Sequence, residues 1–151
     1  MIQLRAITEE NFLDAFNLKL APEQVRFVSH PIRSLAQAYV YREQCQPFGI
    51  CDGDRMLGYL MVIYDDAVPE YDLWHMMMDV SCQGQGYGRA ALKLALDYIR
   101  TKPFGPADRV TLTCHTDNIR ALRLYKSMGF AETGAADGEE IELSLLLREE
   151  H

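Results

Sequence analysis

Hydrophobic and polar positions along this chain alternate between a period of two, typical of strands, and a period near 3.6, typical of helices. The first third predicts a short strand followed by three helical stretches, the first capped by Thr8 and the last by Ser34. The predicted strand covers 2–7, and the helical stretches cover 10–20, 22–28 and 34–44.

The remaining pattern is richer in strands. Two of them meet at the turn Asp52-Gly53-Asp54, and a third is apolar on both faces and therefore predicted to be central. A helix through Arg100, a strand, a helix closed by Gly129 and a final hairpin follow. The predicted strands cover 47–53, 55–65, 71–80, 109–115, 130–134 and 141–147, and the last helix covers 118–128. This order predicts one α+β domain over 1–151, built on a single large sheet.

Composition narrows the class of protein. The chain is 48% hydrophobic and 25% charged, has no run of eighteen apolar residues, and lacks a secretory signal pattern. A net charge of −7 disfavours nucleic acid and anionic membranes as partners. Four scattered cysteines without CxxC spacing favour free thiols in the cytoplasm over a disulfide framework or a metal site.

The stretch QGQGYGRAAL, residues 83–92, places three glycines where a helix begins. Bare backbone at a helix N-terminus presents unpaired N–H groups to an anion, so a phosphate-bearing ligand is predicted there. The alternative is a tight turn with close helix packing. A dinucleotide fingerprint also fits residues 86–91, but its context is wrong, because the match lies in mid-chain after antiparallel strands.

The longer pattern resembles a known family. Gln83 to Gly88 is similar to the Q/R-x-x-G-x-G/A pyrophosphate loop of the GNAT superfamily of acetyl-CoA-dependent N-acetyltransferases. Residues 118–130, DNIRALRLYKSMGF from Asp117, resemble the second signature of that superfamily, N-x-x-A-x-x-x-Y-x-x-x-G-F. The resemblance covers about residues 48 to 147 and implies a mostly antiparallel sheet of six to seven strands with helices on both faces.

The resemblance also implies how acetyl-CoA, the expected co-substrate, is held. Main-chain groups of the central strand are expected to bind the pantetheine and acetyl group, the glycine loop the pyrophosphate, and an asparagine the pantetheine arm. The residues at the matching positions are Met76, Met77, Met78, Gln83, Gly84, Gln85, Gly86, Tyr87, Gly88, Arg89, Asn118 and Tyr125. No metal is expected.

Amine acetylation needs a proton removed from the amine, donors for the oxyanion and an acid for the departing thiolate. By resemblance, the N–H of Met78 polarises the thioester carbonyl and Tyr125 protonates the sulfur; the alternative for Tyr125 is helix packing. Thr111 and Thr113 stand where many relatives carry a glutamate base. Asp72 is therefore the candidate base, with nearby Glu70 and His75 or an ordered water as alternatives.

The acceptor is predicted to be a small-molecule amine. Residues 27–39, 47–50 and 71–79 resemble the spermidine/spermine N-acetyltransferase branch, and acidic and aromatic residues gather near the expected cleft. The candidate acceptor residues are Glu70, Asp72 and Trp74, with Tyr39 and Glu43 on the opposite wall. Acetylation of a protein N-terminus, lysine, aminoglycoside or amino acid stays open, as do a non-catalytic CoA-binding regulator and a homodimer.

Overall fold

The computed structural model describes residues 1–25, 27 and 30–147. Seven strands and four α-helices follow one another along the described chain, with short 3-10 turns at Pro22–Gln24 and Val80–Cys82. The strands are β1 Ile2–Ala6, β2 Cys45–Asp52, β3 Arg55–Asp65, β4 Glu70–Met78, β5 Arg109–His115, β6 Ala131–Asp137 and β7 Glu140–Leu146. The helices are α1 Phe12–Phe16, α2 Pro31–Val40, α3 Tyr87–Arg100 and α4 Ile119–Ser127. None of these helices is both long and apolar enough to cross a membrane.

All strands form one sheet in the order β1-β2-β3-β4-β5-β7-β6, in which only the β4–β5 pair is parallel. The predicted sheet of six to seven mostly antiparallel strands is confirmed, and β4 is the central strand, as its two apolar faces indicated.

Helices cover both faces of the sheet, because the strands bury apolar side chains on both sides. On one face, Leu92, Leu96 and Ile99 of α3 pack in a core with Leu60 and Val62 of β3. A second core on the other face joins residues before and within α2 to the start of β2, to alternate side chains of β3 and to one residue of β4. It consists of Leu18, Ala38, Cys45, Tyr59, Met61, Ile63 and Met77. The buried residues of α3 recur at helical spacing on one face: Ala91, Leu92, Ala95, Leu96 and Ile99.

The N-terminal helices differ from the prediction. α1 has only five residues, and Thr8 precedes it by a turn, accepting main-chain hydrogen bonds from Asn11 and Phe12 through its carbonyl oxygen. The stretch predicted to be helical from Pro22 begins as a 3-10 turn, and its residues 26 and 28 lie outside the described part.

Ser34 is not the cap of α2, and the prediction was wrong here. α2 begins at Pro31, and the His30 side chain accepts the N–H of Ile32 as the N-cap. Proline favours the first helical position because its fixed φ suits the helix and its missing N–H is not needed there. Ser34 therefore lies in the second turn and is buried, with its hydroxyl directed at the sheet.

Two irregularities in β4 shape the region beyond its midpoint. β4 pairs with β5 only at Tyr71–Val110 and Asp72–Thr111, whereas β5 remains paired with β7 along its whole length. Further along β4, two residues, His75 and Met76, lie opposite the single residue between Tyr59 and Met61 of β3, which is a β-bulge. His75 has a φ of 60°, a value rare for residues other than glycine.

Candidate active site

The parting of β4 from β5 opens a cavity of about 920 Å³ at the centre of the sheet. β4, the loop after it, the start of α3, the end of β5 and α4 all contribute to its walls. Of the residues predicted to bind acetyl-CoA, the lining includes Met76, Met77, Met78, Gln83, Gly84, Gly86, Tyr87, Gly88, Arg89, Asn118 and Tyr125, but not Gln85.

Main-chain groups of β4 are available to this cavity because no strand pairs with its open side. The carbonyl oxygen of Met78 accepts a hydrogen bond from Gln83 Nε2 at 3.4 Å, whereas the N–H of Asp79 binds Leu57 on β3. Since the two main-chain groups of a strand residue point to the same side, the N–H of Met78 is also directed away from β3 and into the cleft.

The glycine loop is built as a helix N-terminus without a side-chain cap. Gly86 is the N-cap of α3 with a φ of 81°, and Gly84 has a φ of 78°. A Cβ at either position would meet no atom within 4 Å, so these two glycines serve the backbone conformation and not packing. Gly88 lies in the first turn, where a Cβ would come within 3.5 Å of Leu124.

Three of the arginines that the structure describes line the same end of the cavity, although the whole chain carries a net charge of −7. Arg89 donates to Ser127 Oγ at 2.6 Å, and Arg120 donates to Gln83 Oε1 at 3.4 Å; Arg123 is the third. Together with the positive end of the α3 dipole, these guanidinium groups make this end suitable for a diphosphate.

Tyr125 and Asn118 both lie on the α4 side of the cavity. Asn118 is buried at the N-cap of α4 but makes no side-chain capping bond. The Tyr125 ring packs on Phe130, and its hydroxyl bonds to no residue in the described part of the chain. Burial raises the pKa of Tyr125 well above its usual value, and the neighbouring Cys114 adds to this, so the phenol is neutral at physiological pH.

Comparison with known proteins identifies the family of this chain. Residues 7–130 match the model of the acetyltransferase (GNAT) family. The chain belongs to the GNAT family. It is accordingly an acetyl-CoA-dependent N-acetyltransferase with the mixed α+β GNAT fold.

Relatives along most of the chain include proteins named for polyamines. The chain is 25% identical to the spermine/spermidine N(1)-acetyltransferase of Bacillus subtilis, over 93% of this chain and 95% of the relative. Spermidine N-acetyltransferase from Vibrio cholerae, solved with CoA and spermine, superposes with a TM-score of 0.76 at 19% identity, covering 96% of this chain and 95% of that one. The ribosomal-protein-S18-alanine N-acetyltransferase from Escherichia coli superposes with a TM-score of 0.74 at 21% identity, over 100% and 97% of the two chains.

Glu70 and Asp72 lie outside the GNAT cleft, just below the point where β4 and β5 part. Glu70 pairs with Arg109 at 2.8 Å and accepts a hydrogen bond from Thr111 at 3.3 Å. Asp72 Oδ1 is buried and has no hydrogen-bond partner among the described residues. Burial, followed by the Glu70 carboxylate, raises the pKa of Asp72 to about 8.

Of the other predicted acceptor residues, Trp74 lines the cavity and the two α2-side residues do not. Tyr39 is 73% exposed, with the Arg42 guanidinium 5.2 Å from its ring centroid. Glu43 is exposed beyond the end of α2. The structure therefore separates Tyr39 and Glu43 from the cleft: Tyr39 lies on the exposed side of α2, and Glu43 lies beyond the end of the helix.

Most residues at the end of the cavity opposite the arginines were not predicted from the sequence. Glu140 is the only carboxylate among the described residues that line it. His115 lies beside it on β5 and is bonded to Glu139 at 2.7 Å. The remaining lining residues that were not predicted at this end are Gln24, Phe27 and Gln37. Only the β5–β7 register brings Glu140 opposite His115, so no local signal could have identified it.

The described residues contain no group of three or more His, Cys, Asp or Glu side chains that could hold a metal. Among the groups that line the cleft, main-chain N–H groups, the Tyr125 hydroxyl, the imidazoles of His75 and His115 and the Glu140 carboxylate can donate or accept a proton.

Asp72 should make the stability of the protein depend on pH. Because its pKa is raised in the folded state, folding takes up a proton between about pH 4 and pH 8. The stabilisation by that proton is complete below about pH 4 and is lost as the pH rises through 8. Replacing Asp72 by Asn mimics the protonated form, so we expect Asp72→Asn to raise the thermal midpoint at pH 8 but not at pH 4.

Thermal unfolding of both proteins between pH 4 and pH 9 measures this difference. An equal shift at every pH would show that Asp72 does not take up a proton on folding.

Proposed function

We propose that the protein transfers the acetyl group of acetyl-CoA to a primary amine of a polyamine, in the cleft between β4 and β5. The observation that carries this proposal is the polarity of the cavity along its length. Arginines and an uncapped helix N-terminus lie at one end, and a carboxylate with aromatic side chains lies at the other. An anionic cofactor and a cationic acceptor can enter such a cavity from opposite ends and meet at its middle.

The cofactor end fits acetyl-CoA residue by residue. The N–H groups at the start of α3 and the Arg89 guanidinium would hold the pyrophosphate. The open edge of β4 would pair with the pantetheine amides, to which Asn118 would add a hydrogen bond. Binding a ligand on this edge also satisfies strand N–H and C=O groups that have no partner strand.

Transfer can then proceed with groups already in the cleft. The neutral amine nitrogen attacks the thioester carbon, the Met78 N–H stabilises the oxyanion, and the C–S bond breaks. The thiolate takes a proton from Tyr125, whose phenol is protonated at neutral pH because burial raises its pKa.

A polyamine is the acceptor class favoured at the other end. A distal ammonium can pair with Glu140, and the Trp74 ring can hold the charged chain by cation–π contact. The similarity to the Bacillus subtilis enzyme along 93% of the chain supports the same class.

A protein N-terminus is the second candidate, because a groove of about 1210 Å³ meets the cavity at Phe27 and Glu140. Lys19, His30 and Arg33 line this groove together with apolar residues such as Phe16. The charges of Lys19 and Arg33 repel a polyamine and suit an acidic peptide that extends away from its reacting N-terminus. Peptides therefore belong in the same substrate panel as polyamines.

Gly86→Ala should weaken acetyl-CoA binding selectively. Both Gly86 and Gly53 have positive φ and open surroundings, so alanine at either costs roughly 1–2 kcal/mol of backbone strain. Only the Gly86 variant places a methyl group at the start of α3. We expect its Kd for acetyl-CoA to rise at least tenfold and the Gly53→Ala control to keep the wild-type value.

Calorimetric titration with acetyl-CoA measures both constants. Equal affinity in the two variants would place the pyrophosphate elsewhere.

Tyr125→Phe should lower kcat far more than it raises the KM for acetyl-CoA, because the ring stays in place and only the acid is lost. Loss of a general acid costs roughly 10²- to 10⁴-fold. Steady-state thiol release measures both parameters. An unchanged kcat would mean that the thiolate leaves without help from Tyr125.

Glu140→Gln should raise the KM for spermine about tenfold and leave that for a monoamine unchanged. Only a polyamine keeps a distal ammonium for the carboxylate while it delivers a neutral amine, and a charged hydrogen bond contributes about 1.5–3 kcal/mol. Glu43→Gln makes the same charge change outside the cleft and serves as the control.

Initial rates with spermine, spermidine, putrescine, a monoamine and an acidic peptide test both candidates in one experiment. A preference for the monoamine would remove the polyamine assignment, and a preference for the peptide would favour the second candidate. If none of these acceptors causes thiol release, the chain would be a CoA-binding protein without transfer activity.

A further inference from the structure

The imidazole of His75 is held at the β4 bulge by a hydrogen-bonded chain that reaches into the second layer. Its Nδ1 lies 2.8 Å from Ser34 Oγ on α2, and Ser34 Oγ lies 2.7 Å from the Tyr59 hydroxyl on β3. Ser34 and Tyr59 are both fully buried, whereas His75 lines the cavity. A helix and two strands thus fix one side of the ring and leave the other side to the cleft.

We propose that His75 is the general base of the transfer and that Ser34 is its positioning residue; this inference rests on the proposed function. The base role needs a lone pair on Nε2, so the Nδ1–H must donate to Ser34. That arrangement is possible because Ser34 has another acceptor for its own hydrogen, Met61 Sδ at 3.8 Å.

In this arrangement each of the three hydrogens of the His75–Ser34–Tyr59 network has an acceptor. Nδ1–H and the Tyr59 hydroxyl both donate to Ser34 Oγ, and Ser34 donates to Met61. Burial raises the pKa of Tyr59 to about 12, so Tyr59 remains a donor at any pH at which the enzyme works. Ser34 can also accept from Nδ1–H after Nε2 has taken a proton, so the network accommodates both states of the ring.

The surroundings keep His75 in the basic form at neutral pH. Burial, followed by the Arg33 charge on α2, lowers the pKa of His75 below its usual value. From β4 the Trp74 ring contacts it edge-on at 5.7 Å. Across the cavity stand His115 on β5 and Glu140 on β7, the other titratable side chains at this end of the lining.

The competing groups are less suited to accept the proton. Both ring nitrogens of His115 are engaged, one by Glu139 and the other by the N–H of Asp117. Asp72 lies below the cleft, outside its lining. Glu140 stands across the cavity from His75, on β7, where we assign it to a distal ammonium of the acceptor.

His75, Tyr125 and water in the cleft together account for every proton that moves in one turnover. His75 Nε2 takes a proton from the bound ammonium, and the neutral nitrogen forms the new C–N bond as the C–S bond breaks. The thiolate takes the Tyr125 proton, and the proton that leaves the acylated nitrogen restores the tyrosine through cleft water. His75 then releases its proton to solvent, which is the one proton that the overall reaction produces.

The strained backbone at His75 indicates suitable variants. Asparagine tolerates a positive φ and keeps an amide N–H near the Nδ1 position, so His75→Asn should fold and lack only the base. Glycine also accepts this φ and leaves space for a ring, so His75→Gly can be supplied with free imidazole.

The test is the pH dependence of kcat with spermine at saturating acetyl-CoA. For the wild type we expect an acid limb below pH 6.5 and a plateau above it. For His75→Asn we expect a kcat at pH 7 that is roughly 10²- to 10⁴-fold lower and rises with pH as more free amine is present. Imidazole should restore activity to His75→Gly, and Ser34→Ala should move the limb to lower pH because the imidazolium loses its acceptor.

Three results would overturn the assignment. A wild-type limb near pH 8 that disappears in Asp72→Asn would make Asp72 the base. An unchanged profile in His75→Asn, or no response of His75→Gly to imidazole, would leave proton removal to solvent. If the wild type acetylates no amine, the proposed function itself fails, so the two failures are distinguishable.

Discussion

The structure depends on one break in the sheet, the parting of β4 from β5 after the pair Asp72–Thr111. A central strand normally has hydrogen-bonding partners on both sides, and burying unpaired main-chain groups costs free energy. Here β5 stays with β7, so half of β4 keeps an open edge inside the molecule. That edge faces a cavity large enough for a ligand with amide groups of its own. The cofactor can therefore complete the sheet as a strand would.

The bulge in β4 is the second irregularity, and it lies on the other edge of the strand, opposite β3. Two residues of β4 oppose one of β3, which turns the side chains after Trp74 out of their regular alternation. As a result, His75 sits with positive φ between the cleft and the layer formed by α2. The buried hydroxyls of Ser34 and Tyr59 satisfy the ring nitrogen that faces away from the cleft. Strain of this kind persists where the surrounding contacts hold it, and such sites are often functional.

Charge is distributed along the cleft more sharply than the net charge of −7 suggests. Among the described lining residues, Arg89, Arg120 and Arg123 lie with the positive end of α3 at one end, and Glu140, the only carboxylate, lies at the other. The two carboxylates that the sequence suggested for the active site lie outside the cleft. Glu70 is paired with Arg109, and Asp72 is buried beside it with a raised pKa. Acidic residues close to the active site along the chain are therefore not the ones that face it.

By itself, the sequence determined the sheet-rich α+β fold, the glycine loop at the start of α3 and the family to which the chain belongs. These features are carried by local patterns: strand alternation, the helical period of α3, and two short motifs, one with Gly84 and Gly86 and one that begins at Asn118. The beginning of α2 was also encoded locally, in Pro31, but the polar Ser34 was a stronger apparent cap, and only the tertiary structure shows that its hydroxyl serves Tyr59 and His75. The acceptor end was decided by tertiary structure alone. Glu140 reaches the cleft through the β5–β7 register. Glu70 and Asp72 are excluded from it because β4 and β5 are still paired at Tyr71 and Asp72 and part only after them. Strand register is a long-range property, because it is set by which strands meet and where they part.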